Sequence, residues 1–284
     1  MSNGIASRQN EDCSIAMLAA QRELYDNVKK FYALSTALSV WLPFVLAIFL
    51  LFIPEQIVLK IVSYIVSIIC MISSLVIDKY IEEQKTLAAF VQQKFDTYVY
   101  AMPWNKRLFG NDKNIDHEIV VHSKKLFQNP QKKQKLYNWY PPNVDDKNII
   151  DGILLCQREN IEWDVGLRKR FRYISIGMII MLCCVVFIMG LCRDEKVIEL
   201  LCRAAFVAPM IQWLVNVVGQ LNKDIGILKE LDEKINDNEN KNMDDLQDIQ
   251  KLIYDHRREC YTIPSCIYQF LKNDDEDTAY REVN

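Results

Sequence analysis

Residues 57–77 read IVLKIVSYIVSIICMISSLVI, an apolar run whose one charge, Lys60, sits near its start. A helix needs about 20 mostly apolar residues to cross the hydrocarbon core of a bilayer, and this run is long enough. It does not stand alone. A second apolar stretch at 31–53 lies just before it, and a further pair follows at 173–191 and 197–218. A core helix of a soluble protein shows a polar face and is usually shorter, whereas these stretches carry few or no charges in their centres. The sequence therefore predicts four transmembrane helices arranged as two close pairs.

The connections set the orientation. Within each pair the link is very short, Pro54-Glu55-Gln56 in the first and Arg193-Asp194-Glu195-Lys196 in the second. The outer flanks are basic: Lys29 and Lys30 before the first span, Lys79 and Lys85 after the second, Arg168, Lys169, Arg170 and Arg172 before the third, Lys223 and Lys229 after the fourth. Positive residues near span ends stay in the cytoplasm. Both termini and the region 78–172 are thus expected in the cytosol, with only two small turns outside. The first span does not read as a signal peptide, because it lacks a small-residue cleavage site and is followed at once by a returning span.

The expected fold is an all-α membrane protein: four transmembrane helices as two hairpins, with long helical extensions forming a cytoplasmic domain. The segments are a cytoplasmic N-terminal helix at 1–30, a hairpin at 31–77, a cytoplasmic helical region at 78–172, a second hairpin at 173–218, and C-terminal helices with an acidic tail at 219–284. Ile15, Leu18, Tyr25, Val28 and Tyr32 recur near helical spacing, so that helix is expected to enter the first span without a break. Residues 78–100 contain no Pro or Gly and extend the second span as a long helix, ended by Met102-Pro103. Further helices are expected at 113–127, at 148–172 running into the third span, and at 243–260, with an extended stretch at Pro141-Pro142. The stripe Leu221, Ile225, Leu228, Leu231 and Ile235 continues the fourth span.

Composition agrees with apolar spans averaged against polar segments: half of the residues are hydrophobic and a quarter charged, and the mean hydropathy is −0.04. A net charge of −3 provides no global basic field for DNA or RNA. The charge is uneven, basic over 124–135 and 158–172 and acidic over 273–277. Nine cysteines show no Cys-x-x-Cys spacing. Cys70, Cys183 and Cys184 lie within spans as small core residues. Cys192 and Cys202 flank the second short turn and form a candidate bridge in an oxidising compartment, while the rest suit a reducing cytosol.

His117, His122 and His256 are the three histidines, and they form no clustered ligand set. There is no P-loop, no Gly-x-Gly-x-x-Gly, no His-Glu-x-x-His and no nucleophile motif. No catalytic residue, metal or cofactor is expected, and the chain does not read as an enzyme.

Two spans carry polar stripes. Ser63, Ser67, Cys70 and Ser74 share one face of the second, and Gln212, Asn216 and Gln220 share one face of the fourth, after Pro209. Polar residues in a span face protein or water rather than lipid. One reading is hydrogen bonding inside the bundle. The other makes Ser63, Ser67, Gln212, Asn216 and Gln220 the lining of an assembly interface or a pore. A four-helix bundle has a packed centre, so a wide aqueous path requires several chains and a homo-oligomer.

The polar segments hold an ordered set of motifs. Ser7-Arg8-Gln9-Asn10-Glu11 precedes Leu18-Ala19-Ala20-Gln21-Arg22-Glu23-Leu24-Tyr25; Phe95-Asp96-Thr97-Tyr98 precedes Met102-Pro103-Trp104-Asn105. Then come Asn138-Trp139-Tyr140-Pro141, Cys156-Gln157-Arg158-Glu159-Asn160, Trp163-Asp164, Leu167-Arg168-Lys169-Arg170 and Leu246-Gln247-Asp248-Ile249, with Arg257 and Pro264 after them. This order around two transmembrane hairpins resembles the SMODS-associated four-transmembrane effector family of bacterial antiphage defence, over nearly the whole chain. The resemblance implies an effector encoded beside a nucleotide-cyclising synthase, in CBASS-like or Panoptes-like operons. Such an effector damages the inner membrane when its cyclic di- or oligonucleotide signal changes.

The motifs also carry a reading of their own. A cyclic nucleotide offers anionic phosphates and flat bases; Arg forks phosphate, and Trp or Tyr stacks on bases. Arg158, Arg168 and Arg170 are the candidate phosphate contacts. Trp104, Trp139, Tyr140 and Trp163 are the candidate stacking residues, and Gln157 and Asn160 the candidates for base edges. The plainer alternatives are core aromatics, positive-inside anchors at Arg168 and Arg170, and a helix cap or surface pair at Arg8 and Asn10. The alternative function is a non-toxic membrane scaffold or ion channel that recruits a cytosolic partner.

Overall fold

The structure, a computed structural model, describes residues 2–51, 57–112, 115–192, 197–237, 241–268 and 271. Among these residues there is no strand. The helices are α1 (Ile5–Arg8), α2 (Asp12–Thr36), α3 (Leu42–Leu51), α4 (Ile57–Val99), α5 (Lys106–Phe109), α6 (Ile115–Phe127), α7 (Pro130–Gln134), α8 (Ile149–Cys192), α9 (Val197–Asn236) and α10 (Met243–Glu259). Helix ends follow local chemistry. Asn148 accepts from the backbone N–H of Asp151 at the start of α8, and Asn242 and Asp245 form a reciprocal capping box at the start of α10.

The expected unbroken entry into the first span is modified. Between α2 and α3 the ladder shifts to a π-helical segment, Ala37–Trp41. Pro43 supplies the reason: it has no N–H to give to the turn before it, and its ring crowds that turn's carbonyl. One residue of local widening accommodates this.

Two compact units are present. The first comprises Met1–Val28, Glu82–Gly166 and Asp224–Cys260. Its main core gathers Ile5, Leu18, Leu24, Phe95, Tyr100, Leu136, Ile153 and Leu246, and a second cluster joins Ile161 of α8, Leu228, Leu231 and Ile235 of α9, and Ile249 and Ile253 of α10. The stripe from Leu221 to Ile235 is buried at all five positions.

The second unit comprises Lys29–Ile81, Leu167–Lys223 and Tyr261–Asn284. Its buried cluster is Leu167, Phe171, Val217, Leu221, Ile263 and Leu271. Its outside is apolar: Val62, Ile65, Ile69 and Ile72 on α4, and Ile180, Val185 and Ile188 on α8, are all exposed. Among the described residues, α4 and α8 are the two helices long and apolar enough to cross a membrane, and only 6% and 12% of their most apolar windows is buried. A soluble core helix would be mostly buried. An apolar surface of this extent suits lipid and not water. The stretch 197–218 opens α9, whereas 31–53 falls on the end of α2, the π segment and α3, with 52–53 outside the described residues. Both short turns, 54–56 and 193–196, also lie outside them, and the side chain of Cys202 is not described.

Candidate functional site

The polar motifs of the first unit meet in its interior, around Asp96 near the C-terminal end of α4. Its side chain is 1% exposed. One carboxylate oxygen accepts from the Tyr140 hydroxyl at 2.9 Å. The other accepts from the Gln250 amide at 3.0 Å and from the Arg257 guanidinium at 2.6 Å. Burial works against the Arg257 charge, but the Asp96 carboxylate outweighs it and holds the guanidinium protonated. Burial and the same carboxylate push the Tyr140 hydroxyl well above its ordinary range, so it remains a donor. Because that proton goes to Asp96, the Tyr140 oxygen accepts from Tyr100 at 2.7 Å and from Asn160 at 3.1 Å.

Gln250 extends the network. It donates to Gln93 at 3.0 Å and accepts from Gln157 at 3.0 Å, while Gln157 also donates to the Leu246 carbonyl at 3.2 Å. The loop carrying Tyr140 is clamped from the N-terminus. Gln9 donates to the Tyr140 carbonyl at 2.9 Å and accepts its N–H at 2.6 Å. Asn10 makes the same two-way exchange with Asn138, donating to its side chain and accepting its N–H. Asn138 has φ +54, a left-handed conformation that Asn tolerates better than most residues. Arg8 donates to the Val99 carbonyl at 2.8 Å, and the Tyr98 hydroxyl donates to Glu11.

The candidate ligand residues therefore divide. Tyr140, Gln157 and Asn160 are engaged in this interior network. Trp139 and Trp163 are exposed at 38% and 43%. Trp104 is half-buried, and its indole N–H donates to the Gly110 carbonyl at 2.9 Å. In the second unit Arg168 is buried and donates to the Tyr261 carbonyl at 3.1 Å, and Arg170 is half-buried. Arg158 is half-buried and donates to Asn236 near the end of α9. Its Nε is buried without a hydrogen-bond partner. Arg158 also lines a shallow depression of about 260 Å³ with Lys147, Asp151, Leu154 and Leu155. That is just under the size of small-molecule pockets, roughly 300–1,000 Å³, and it sets two cations and one carboxylate, Asp151, over an apolar floor.

The two polar stripes of the second unit differ in exposure. Ser63, Ser67 and Cys70 are half-buried and Ser74 is buried; Ser67 and Ser74 bond to carbonyls of their own helix. Gln212, Asn216 and Gln220 are all exposed.

Comparison with known proteins gives these features a family. Residues 3–284 match the family described as the SMODS-associating 4TM effector domain. The chain belongs to this family. It is also similar to a probable CBASS effector molecule of Bacillus cereus (strain VD146), 27% identical over 205 residues. That match covers 68% of this chain and 66% of the relative, so the chain spans just under two thirds of the relative's length. No solved structure matches.

The resemblance read from the motifs is thus confirmed, and the structure gives several of those motifs a use: they bond to one another. The sequence reading did not assign the hub, Asp96, or its partners Gln93, Gln250 and Arg257. A signal was there. Leu246, Gln250, Ile253 and Arg257 fall on one helical face, and an Arg on a buried stripe requires a buried acid. Among the described residues no group of His, Cys, Asp and Glu is arranged to hold a metal ion.

Proposed function

We propose that this protein is an inner-membrane effector of bacterial antiphage defence. In this reading a cyclic di- or oligonucleotide from a neighbouring synthase controls it, and its action disrupts or permeabilises the membrane and stops growth of the infected cell. The observation that carries the reading is the family match over residues 3–284, and the exposed apolar helices α4 and α8 support it. The four spans are two hairpins, with both termini and 78–172 in the cytosol, as the basic flanks require.

The control step assigned to this chain is a change of helix position. Helices α4, α8 and α9 each run without interruption for 40 residues or more, from polar sequence into apolar sequence. A nucleotide that prefers one arrangement of their polar portions by a few kcal/mol shifts the population of the whole chain. The phosphate contact is Arg158, whose unpartnered Nε and neighbour Lys147 suit an anion despite the one acid beside them, Asp151. The exposed Trp139 and Trp163 supply stacking surfaces.

Calorimetry on the detergent-solubilised chain tests the contact. Removing one charge-assisted hydrogen bond costs about 1.5–3 kcal/mol, so Arg158→Ala is expected to bind the cyclic nucleotide roughly tenfold to over a hundredfold more weakly. A folded Arg158→Ala chain that binds as tightly as the parent excludes this role.

A further inference from the structure

Over residues 208–221, α9 has two faces of different character. Met210, Leu214, Val217 and Leu221 are buried in the second unit. Ala208, Gln212, Val215, Asn216, Gly219 and Gln220 are exposed. The amides are barely satisfied by their own chain. Gln212 donates to Asn216 at 3.3 Å. Among the described residues, the Gln212 carbonyl, the Asn216 amide nitrogen and the whole Gln220 carboxamide have no other hydrogen-bond partner. On α4, by contrast, Ser63 and Ser67 are half-buried and Ser74 is buried, and Ser67 and Ser74 bond to carbonyls of their own helix.

An unpaired carboxamide is costly in hydrocarbon, where no water can replace the missing partner. Three amides spread over about 12 Å of helix, at 1.5 Å per residue, two within 197–218 and Gln220 just past its end, need a surface that both donates and accepts at matching spacing. A carboxamide does both, so the same face of another copy is complementary to this one across a two-fold axis. Gly219 fits that use. A Cβ placed there would meet nothing within 4 Å, so packing within the chain does not call for glycine. A small residue on an outer face lets a neighbouring helix approach closely enough for amides to bond.

We propose that the face of α9 bearing Gln212, Val215, Asn216, Gly219 and Gln220 docks onto the same face of a second copy of this chain. The inference rests on the reading of α9 as the fourth span. Its consequence is that the smallest active assembly is a pair joined through α9, with amide pairing replacing exposure to lipid.

Site-specific photo-crosslinking in intact membranes tests this on the full-length chain. A benzoylphenylalanine is placed in turn at Val215, at Gln220, and at the exposed control positions Val62 on α4 and Ile180 on α8. Each chain is first checked for retention in the membrane after an alkaline carbonate wash. The expected result is a crosslinked dimer from Val215 and Gln220 that Val62 and Ile180 do not give. Its yield should fall at least tenfold when Gln212→Leu and Asn216→Leu are added. An inserted chain that gives no dimer from Val215, gives it equally from Val62 and Ile180, or gives it undiminished in the double variant overturns the proposal. Extraction by carbonate overturns it by a separate route, because the membrane reading of α9 then fails while nucleotide binding at Arg158 can still be measured.

Discussion

Asp96→Ala is expected to destabilise the first unit by about 3–5 kcal/mol, the usual cost of removing one partner from a buried ion pair. That is a large share of the roughly 5–15 kcal/mol by which folded domains are stable. The size follows from what remains behind. Arg257, 11% exposed in its side chain, would keep its charge with no counter-ion. The Tyr140 hydroxyl and the Gln250 amide would lose their shared acceptor. Asp96→Asn retains an acceptor for Tyr140 and is expected to cost less, though it still leaves Arg257 unpaired. Thermal unfolding of the purified chain in detergent, with limited proteolysis at 20 °C as a second readout, measures both variants. A parent-like Asp96→Ala would mean that the network does not hold this unit together.

Gln212→Leu combined with Asn216→Leu carries the second large effect. Interhelical hydrogen bonds within a bilayer contribute up to about 1–2 kcal/mol each. At that upper range, losing two such bonds weakens pairing by as much as about thirtyfold to several hundredfold. Both substitutions raise hydrophobicity, so the chain is expected to insert as well as the parent. Dye leakage from cells expressing it should nonetheless disappear. If the double variant inserts and permeabilises cells like the parent, the amide face has no part in the damage.

The sequence made the helical periodicity readable because burial repeats at helical spacing. Leu221 through Ile235 is a stripe on paper and a buried stripe in the structure. Apolar length did the same for α4 and α8. The π segment at Ala37–Trp41 was harder to see, since a proline announces a fault in the hydrogen-bond ladder without saying how the helix repairs it. The candidate site was half legible. Tyr140, Gln157 and Asn160 stood out by residue type, but a type that suits a ligand equally suits a buried network. Only the pairing of elements far apart in sequence, such as Gln9 with Tyr140 and Asp96 with Arg257, separates the two. The exposure of Gln212, Asn216 and Gln220 was likewise hidden, because helical spacing puts residues on a common face without saying where that face points.

We propose above that a cyclic nucleotide controls damage to the membrane by this chain. Entry of a membrane-impermeant dye into cells measures it most directly, with the chain expressed alone and beside an active or a catalytically dead cyclic-nucleotide synthase. Dye entry with the active synthase is expected to differ from that with the dead synthase, and Arg158→Ala to abolish the difference. Dye entry that is the same with active and dead synthase, or absent in every combination, would contradict it.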